Sequence, residues 1–272
     1  MRPERAPGGA ARPRVLLLED DRAIQRFVAL VAQDCGVDLH AVHRLAEADQ
    51  ALDNGEFDLL LADLMLPDGC AVEWLQHRRQ ADKTRYPRRI VAFSAGLGST
   101  VRHALGLAGV DRFLAKPVSV DELQACFGTL RGAGDTQEPD IGCRSCEAGE
   151  PTPTASLACG DVAQTGVVER YFGGDAQLHA DFLQTWRAGL PREVMRADQH
   201  LAASDFAAIR RVAHGMKSAL RMLGETSLAQ DSSIVEQRCV QRDGAGATLA
   251  WAHLRAGLHA WMARPGETVL QP

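Results

Sequence analysis

The sequence predicts two units of different class: an α/β doubly wound domain with a five-stranded parallel sheet over residues 14–130, and a separate all-α helical bundle over residues 161–263. Three observations carry this division. In the first half, short continuous apolar runs alternate strictly with helical patterns, and continuous apolar strands are those buried on both faces. In the second half, apolar residues recur at helical spacing and no alternating run appears. Between them, residues 131–160 hold clustered Gly, Pro, Ser, Thr and acids with few large apolar groups, the composition of a flexible linker. Residues 1–13 and 264–272 read as tails.

The strand signals are VLLL at 15–18, VDLHAV at 37–42, FDLLLAD at 57–63, RIVAFSA at 89–95 and VDRFLA at 110–115. Helical patterns follow each in turn: RAIQRFVALVAQDC at 22–35, a stretch ending at Asn54, CAVEWLQHRRQ at 70–80, STVRHALGLAG at 99–109 and SVDELQACFGTL at 119–130. In the second half, helices are expected at about 162–172, 175–203, 205–223, 226–242 and 247–263. A break or new start is expected at Gly189-Leu190-Pro191, because proline lacks an N–H and favours the first turn of a helix.

Composition narrows the function. The 272 residues are 46% hydrophobic, enough for two cores, and no run of about 18 apolar residues could cross a membrane. With 30 basic against 35 acidic residues, a sequence-independent grip on nucleic acid has no electrostatic footprint. Seven cysteines, an odd number scattered through the chain, do not form a secreted disulfide framework. These features predict a soluble cytoplasmic protein with no nucleic-acid or membrane partner. Cys143-x-x-Cys146 has no second pair at ligand spacing and reads as inert linker. Of the 30 cations, 27 are Arg, and only Lys83, Lys116 and Lys217 are lysine, so a retained lysine invites a reason.

In an open parallel sheet, ligands sit beyond the carboxyl ends of the strands. Those ends carry Glu19-Asp20-Asp21, Asp63, Ser94-Ala95 and Lys116-Pro117. Crowded carboxylates are driven towards protonation unless a cation screens them, and Mg2+ with oxygen ligands is the natural choice. The remaining carboxylate can then attack a phosphoryl group, while a lysine and a hydroxyl neutralise and hydrogen-bond its oxygens. Asp63 is the candidate nucleophile.

VLLLEDD, DLLLADLMLPDGCAVEWL, IVAFSA and DRFLAKPVSVDEL resemble, in order and spacing, the response-regulator receiver domain, a flavodoxin-like fold. The resemblance implies that Glu19, Asp20 and Asp63 hold Mg2+ and that Asp63 is phosphorylated. It implies that Ser94 is the switch hydroxyl, Lys116 the phosphate-contacting lysine before a cis Pro117, and Phe113 the aromatic that follows the hydroxyl. Asp21 is a weaker metal candidate. Ala71 stands where the family often has Gly, and Phe113 replaces the commoner Tyr.

In the second half, Phe206, Ile209, Ala213, Met216, Leu220 and Leu223 form an apolar stripe at 3 and 4 residue spacing. Arg210, His214, Lys217 and Arg221 form a second stripe about 100° round the helix, a cationic ridge holding one neutral nucleophile. An exposed imidazole there can take a phosphoryl group on nitrogen, and a lysine one turn on can hold its oxygens. AHGMKSALRMLG and the upstream RYFGGDAQLHADFLQTWRAGLP resemble histidine phosphotransfer (HPt) domains. By that resemblance His214 is phosphorylated, Lys217 supports it, and Gly224 ends the small-residue pattern. Ser218 stands where Gly is usual, at the expected phosphorylated edge.

Together these features predict a two-component phosphorelay intermediate. A sensor or hybrid histidine kinase would phosphorylate Asp63 with Mg2+, and His214 would carry phosphoryl to or from a receiver aspartate of a downstream response regulator. No ATP-binding kinase motif is visible, and the resemblance allows autodephosphorylation of Asp63. The alternative is a phosphorylation-controlled interaction switch in which the bundle binds a partner and His214 is not phosphorylated. At roughly 5 to 6 Å times the square root of its length, the linker spans some 30 Å, so exchange within one chain is feasible and left open.

Overall fold

A computed structural model describes residues 12–81, 87–94, 106–130 and 160–264. Most of the expected helix at 99–109, Cys143 and Cys146 of the expected linker, and nearly all of both tails lie outside the described residues.

Seven strands are present among the described residues: β1 Arg14–Leu18, β2 Asp38–Val42, β3 Leu59–Asp63, β4 Met65–Leu66, β5 Gly69–Cys70, β6 Arg89–Ser94 and β7 Arg112–Ala115. Helices α1 Arg22–Asp34, α2 Leu45–Asn54, α3 Ala71–Ala81 and α4 Val120–Gly128 accompany them. Five strands form one parallel sheet in the order β2-β1-β3-β6-β7, as the alternation predicts. The short strands β4 and β5 pair antiparallel across Pro67 and Asp68.

Strand side chains alternate between faces, and here each face has its own cover. Val15, Leu17, Leu59, Leu61, Val91 and Phe93 pack towards α1 and α4. Leu16, Leu18, Leu60, Ala62, Ile90 and Ala92 pack towards α2 and α3. Helix α1 opens on Asp21, whose carboxylate accepts from the Ala23 and Ile24 N–H groups. Helix α4 opens on a capping box between Ser119 and Glu122. The strand order reverses beside β1, so the ends of β1 and β3 flank the crevice where such sheets place their sites.

Helices α5 Gly160–Phe172, α6 Ala176–Ala202, α7 Phe206–Met222, α8 Thr226–Val240 and α9 Gly244–Met262 make the second unit. The turns between them, at 173–175, 203–205, 223–225 and 241–243, share one design. Their middle residues, Gly174, Ser204, Gly224 and Arg242, all have positive φ, and the residue that follows each opens the next helix. Asp175, Asp205 and Asp243 cap through their side chains.

The expected break at Pro191 is not present: α6 runs unbroken from Ala176 to Ala202. Pro191 faces solvent, so the carbonyl that its missing N–H leaves unbonded sits on the wet side of the helix. Trp186, Leu190, Val194 and Ala197 meanwhile keep the other side continuous in the core.

The two units share that core. Phe27 of α1, 1% exposed, meets Phe172 and Phe182 edge-on at centroid distances of 5.5 and 6.2 Å. Buried residues run without interruption from the α1 face of the sheet into the bundle. No helix among the described residues is long and apolar enough to cross a membrane.

Candidate functional site

The parallel strands deliver their ends to one rim. Glu19 and Asp20 follow β1, Asp63 ends β3, and Lys116 follows β7 across a cis peptide bond to Pro117. Lys116 Nζ donates to Glu19 Oε2 at 2.6 Å and to Asp63 Oδ2 at 2.7 Å, all three groups being buried. The Met65 N–H donates to Asp63 Oδ1 at 3.2 Å. Both oxygens of Asp63 are therefore oriented, one by a cation and one by backbone.

Glu19, Asp20 and Asp63 each present an oxygen within 4.8 Å of the others, the spacing of a cation site. Burial, then the charge of Asp63, pushes the Asp20 carboxyl up to about 7. Burial also raises Glu19, against the opposing effect of Lys116. Carboxyls held above their usual range in water are those that a divalent cation would restore to the ionised form, so the donor set fits a hard metal ion. Asp21 is spent on capping α1. Ser94 pairs in register with Ala115, at the edge of the rim, and its side chain lies outside the described residues. Phe113 is partly buried on β7 against the α2 and α3 face of the sheet.

In the bundle, His214 and Lys217 lie on α7 with the expected one-turn spacing, but the ridge is not an exposed one. His214 and Lys217 are 7% and 8% exposed, while Arg210 and Arg221 face solvent. The reason is Glu236 of α8, which accepts from His214 Nδ1 at 2.9 Å and from Lys217 Nζ at 2.5 Å. Because the carboxylate can only accept, the shared proton belongs to Nδ1, which in the neutral ring leaves the lone pair on Nε2. Burial pushes Glu236 up, but the hydrogen bonds from His214 and Lys217 outweigh it and bring the carboxyl down to about 2.

Spacing along a single helix could not reveal Glu236. Its one trace in the sequence is an acid flanking the apolar stripe of α8, at Leu228, Val235 and Cys239. Ser218, expected at the phosphorylated edge, is instead buried, and its Oγ has no hydrogen-bond partner among the described residues.

Asp20, Asp63 and His214 line one cavity of about 670 Å³, walled on α6 by Arg192, Glu193 and Arg196. The rim and the histidine, read from separate halves of the chain, thus open onto the same space.

The response regulator receiver domain family matches residues 15–127, and the Hpt domain family matches residues 181–264. The chain is 29% identical over 223 residues to the sensor histidine kinase GacS of Pseudomonas protegens, covering 79% of this chain and 23% of that protein. It is 31% identical over 127 residues to the KDP operon transcriptional regulatory protein KdpE of Escherichia coli, covering 46% of this chain and 55% of that protein. The chain thus spans about half or less of the length of these relatives. The receiver domain of a putative LuxO repressor protein from Vibrio parahaemolyticus aligns with a TM-score of 0.41 at 27% identity, over 44% of this chain and 90% of that one. The acidic rim lies within the receiver match and the histidine helix within the Hpt match, so the chain carries a response regulator receiver domain followed by an Hpt domain.

Proposed function

We propose that this protein is a phosphorelay intermediate in which Asp63 accepts a phosphoryl group from a sensor or hybrid histidine kinase and His214 carries phosphoryl to or from a receiver aspartate. The observation that carries the reading is that each acceptor is prepared for its chemistry: Asp63 is fixed by Lys116 and Met65, and His214 has its Nδ1 proton engaged by Glu236. The 223-residue likeness to a sensor histidine kinase, longer than the receiver match alone, supports partners of that class.

Glu19, Asp20 and Asp63 would hold Mg2+, which when bound supplies positive charge against the oxygens of the incoming phosphoryl group. A carboxylate oxygen of Asp63 attacks phosphorus, the bond from phosphorus to the kinase's histidine nitrogen breaks and that imidazole leaves, and Lys116, which now pairs with Asp63, turns to the phosphoryl oxygens. Ser94, at the end of β6, takes the role of switch hydroxyl, and Phe113 that of the aromatic that moves with it. In the bundle, Lys217 holds phosphoryl oxygens on His214, with Glu236 sharing its charge until then. A chain of this kind acts in the cytoplasm, where kinases and receivers meet.

Incubation with acetyl phosphate and Mg2+, followed by mass spectrometry and acid or alkali lability, tests the assignment in the wild type, Asp63→Asn and His214→Gln. Label on Asp63 is expected in the wild type and in His214→Gln. It should be lost in Asp63→Asn and whenever Mg2+ is chelated. His214 should be modified when a phosphorylated receiver is supplied. Label on Asp63 with His214 never modified would return the interaction-switch reading.

A further inference from the structure

We propose that Arg211 is a further residue of the histidine site: its guanidinium holds the phosphoryl oxygens on Nε2 of His214, on the opposite side of the ring from Glu236. The inference rests on the relay reading above and deepens it by naming the group that meets the phosphoryl charge.

The ring of His214 has two unlike sides. Its Nδ1 is bonded to Glu236 of α8, which also binds Lys217 and has Arg210 at 4.0 Å. His214 lines the cavity of about 670 Å³ as well, and among the described residues none of α8 does. The two nitrogens stand on different edges of the imidazole, so the edge turned away from α8 is the Nε2 edge, and a group on Nε2 enters the cavity.

A phosphoryl group brings about two negative charges into that space, and the cations around it are not equally free to answer them. Lys217 is held by Glu236, which would lose a partner if the ammonium turned away. On α6, Arg196 pairs with Glu193 at 2.9 Å, and Arg192 stands 3.6 Å from the same carboxylate. Arg211 differs from all three. It precedes His214 by three residues on α7, the spacing that brings two side chains to one face with Cβ atoms about 5 to 6 Å apart, and it lines the same cavity. It is half-buried, and it makes no hydrogen bond or ion pair among the described residues. A guanidinium partly withdrawn from water with no acceptor keeps its donors open in a planar fork, the shape that takes two phosphoryl oxygens at once. It can do so without releasing a partner, and Glu236 keeps both of its own.

Phosphoramidate, a small donor with a phosphorus–nitrogen bond, lets the step be written in full. The Nε2 lone pair attacks phosphorus, the bond from phosphorus to the donor's nitrogen breaks, and that nitrogen leaves as ammonia with the protons it already carries in the zwitterion. The Nδ1 proton stays, so the ring becomes positive beside Glu236 while the phosphoryl oxygens face Arg211.

The test uses the full chain carrying Asp63→Asn, which confines the label to His214. With phosphoramidate as donor, acid-labile phosphate on His214 is followed by mass spectrometry. Arg211→Gln is expected to slow labelling about tenfold, and Arg211→Lys, which keeps the charge but not the fork, about threefold. Arg170→Gln removes the same charge from an exposed site on α5 outside the cavity and should stay within about twofold of the parent. The contact itself is read with the arginine in place: the Arg211 Nε–H signal in the 1H–15N spectrum, identified by its loss in Arg211→Lys, should shift and gain protection from exchange when His214 is phosphorylated. That signal decides the matter whether or not Arg211→Gln folds as well as the parent. Labelling of Arg211→Gln at the parent rate, an equal loss in Arg170→Gln, or an Nε–H signal indifferent to phosphorylation overturns the proposal and leaves the relay intact. No label on His214 of the wild type, from phosphoramidate or from a phosphorylated receiver, sinks the relay reading and this inference with it.

Discussion

Glu236 shows how one side chain sets the state of two others. Its carboxyl lies at about 2, below the ordinary 4.5, so the fold favours its ionised form. The stability it contributes is therefore complete above about pH 4.5 and is lost as pH falls towards 2. Thermal melts of Glu236→Gln should fall less steeply than those of the wild type across that window. The same variant keeps an acceptor for Nδ1 but removes the negative charge beside the ring, and phosphorylation of His214 should slow by about tenfold, the equivalent of about 1.4 kcal/mol. Ser218 presents the opposite case, a buried hydroxyl with nothing to bond. Ser218→Ala removes that desolvated group and should raise the melting temperature by about 2 to 4 °C, for a gain of about 1 kcal/mol.

At the scale of elements, the four bundle turns repeat one backbone with different side chains. Gly174 and Gly224 adopt positive φ at no steric cost, whereas Arg242 holds φ at 56° with a Cβ in place. Arg242→Gly should stabilise the bundle by about 0.5 to 1 kcal/mol, read as a rise in the melting temperature. These turns were legible, since Gly and Asp punctuate them and the helices between carry regular stripes. The sheet and its acidic rim were legible too, because strand ends expose the identity of each residue and a chain rich in Arg kept Lys116 there. What stayed hidden depends on pairings between elements. Periodicity along α6 could not say that Pro191 would face solvent and leave the helix whole. Nor could the stripe of α7 say that Glu236 of α8 would cover His214 and Lys217. Phe27 read as one more apolar residue of α1, and its second set of partners lay more than 140 residues away.

Across the whole molecule, buried residues of both domains form one continuous core, and residues of both line one cavity. About 670 Å³ amounts to the volume of on the order of twenty water molecules. A phosphoryl group on His214 would take up part of that space, so solvent has to leave as it arrives. Phosphorylation of His214 should therefore depend on water activity. Raising osmotic pressure with a polymer too large to enter the cavity should speed phosphorylation of His214 by a phosphorylated receiver in proportion to the water released. The slope of log rate against osmolality then counts the waters expelled, turning a shape between two domains into a measurable quantity of solvent.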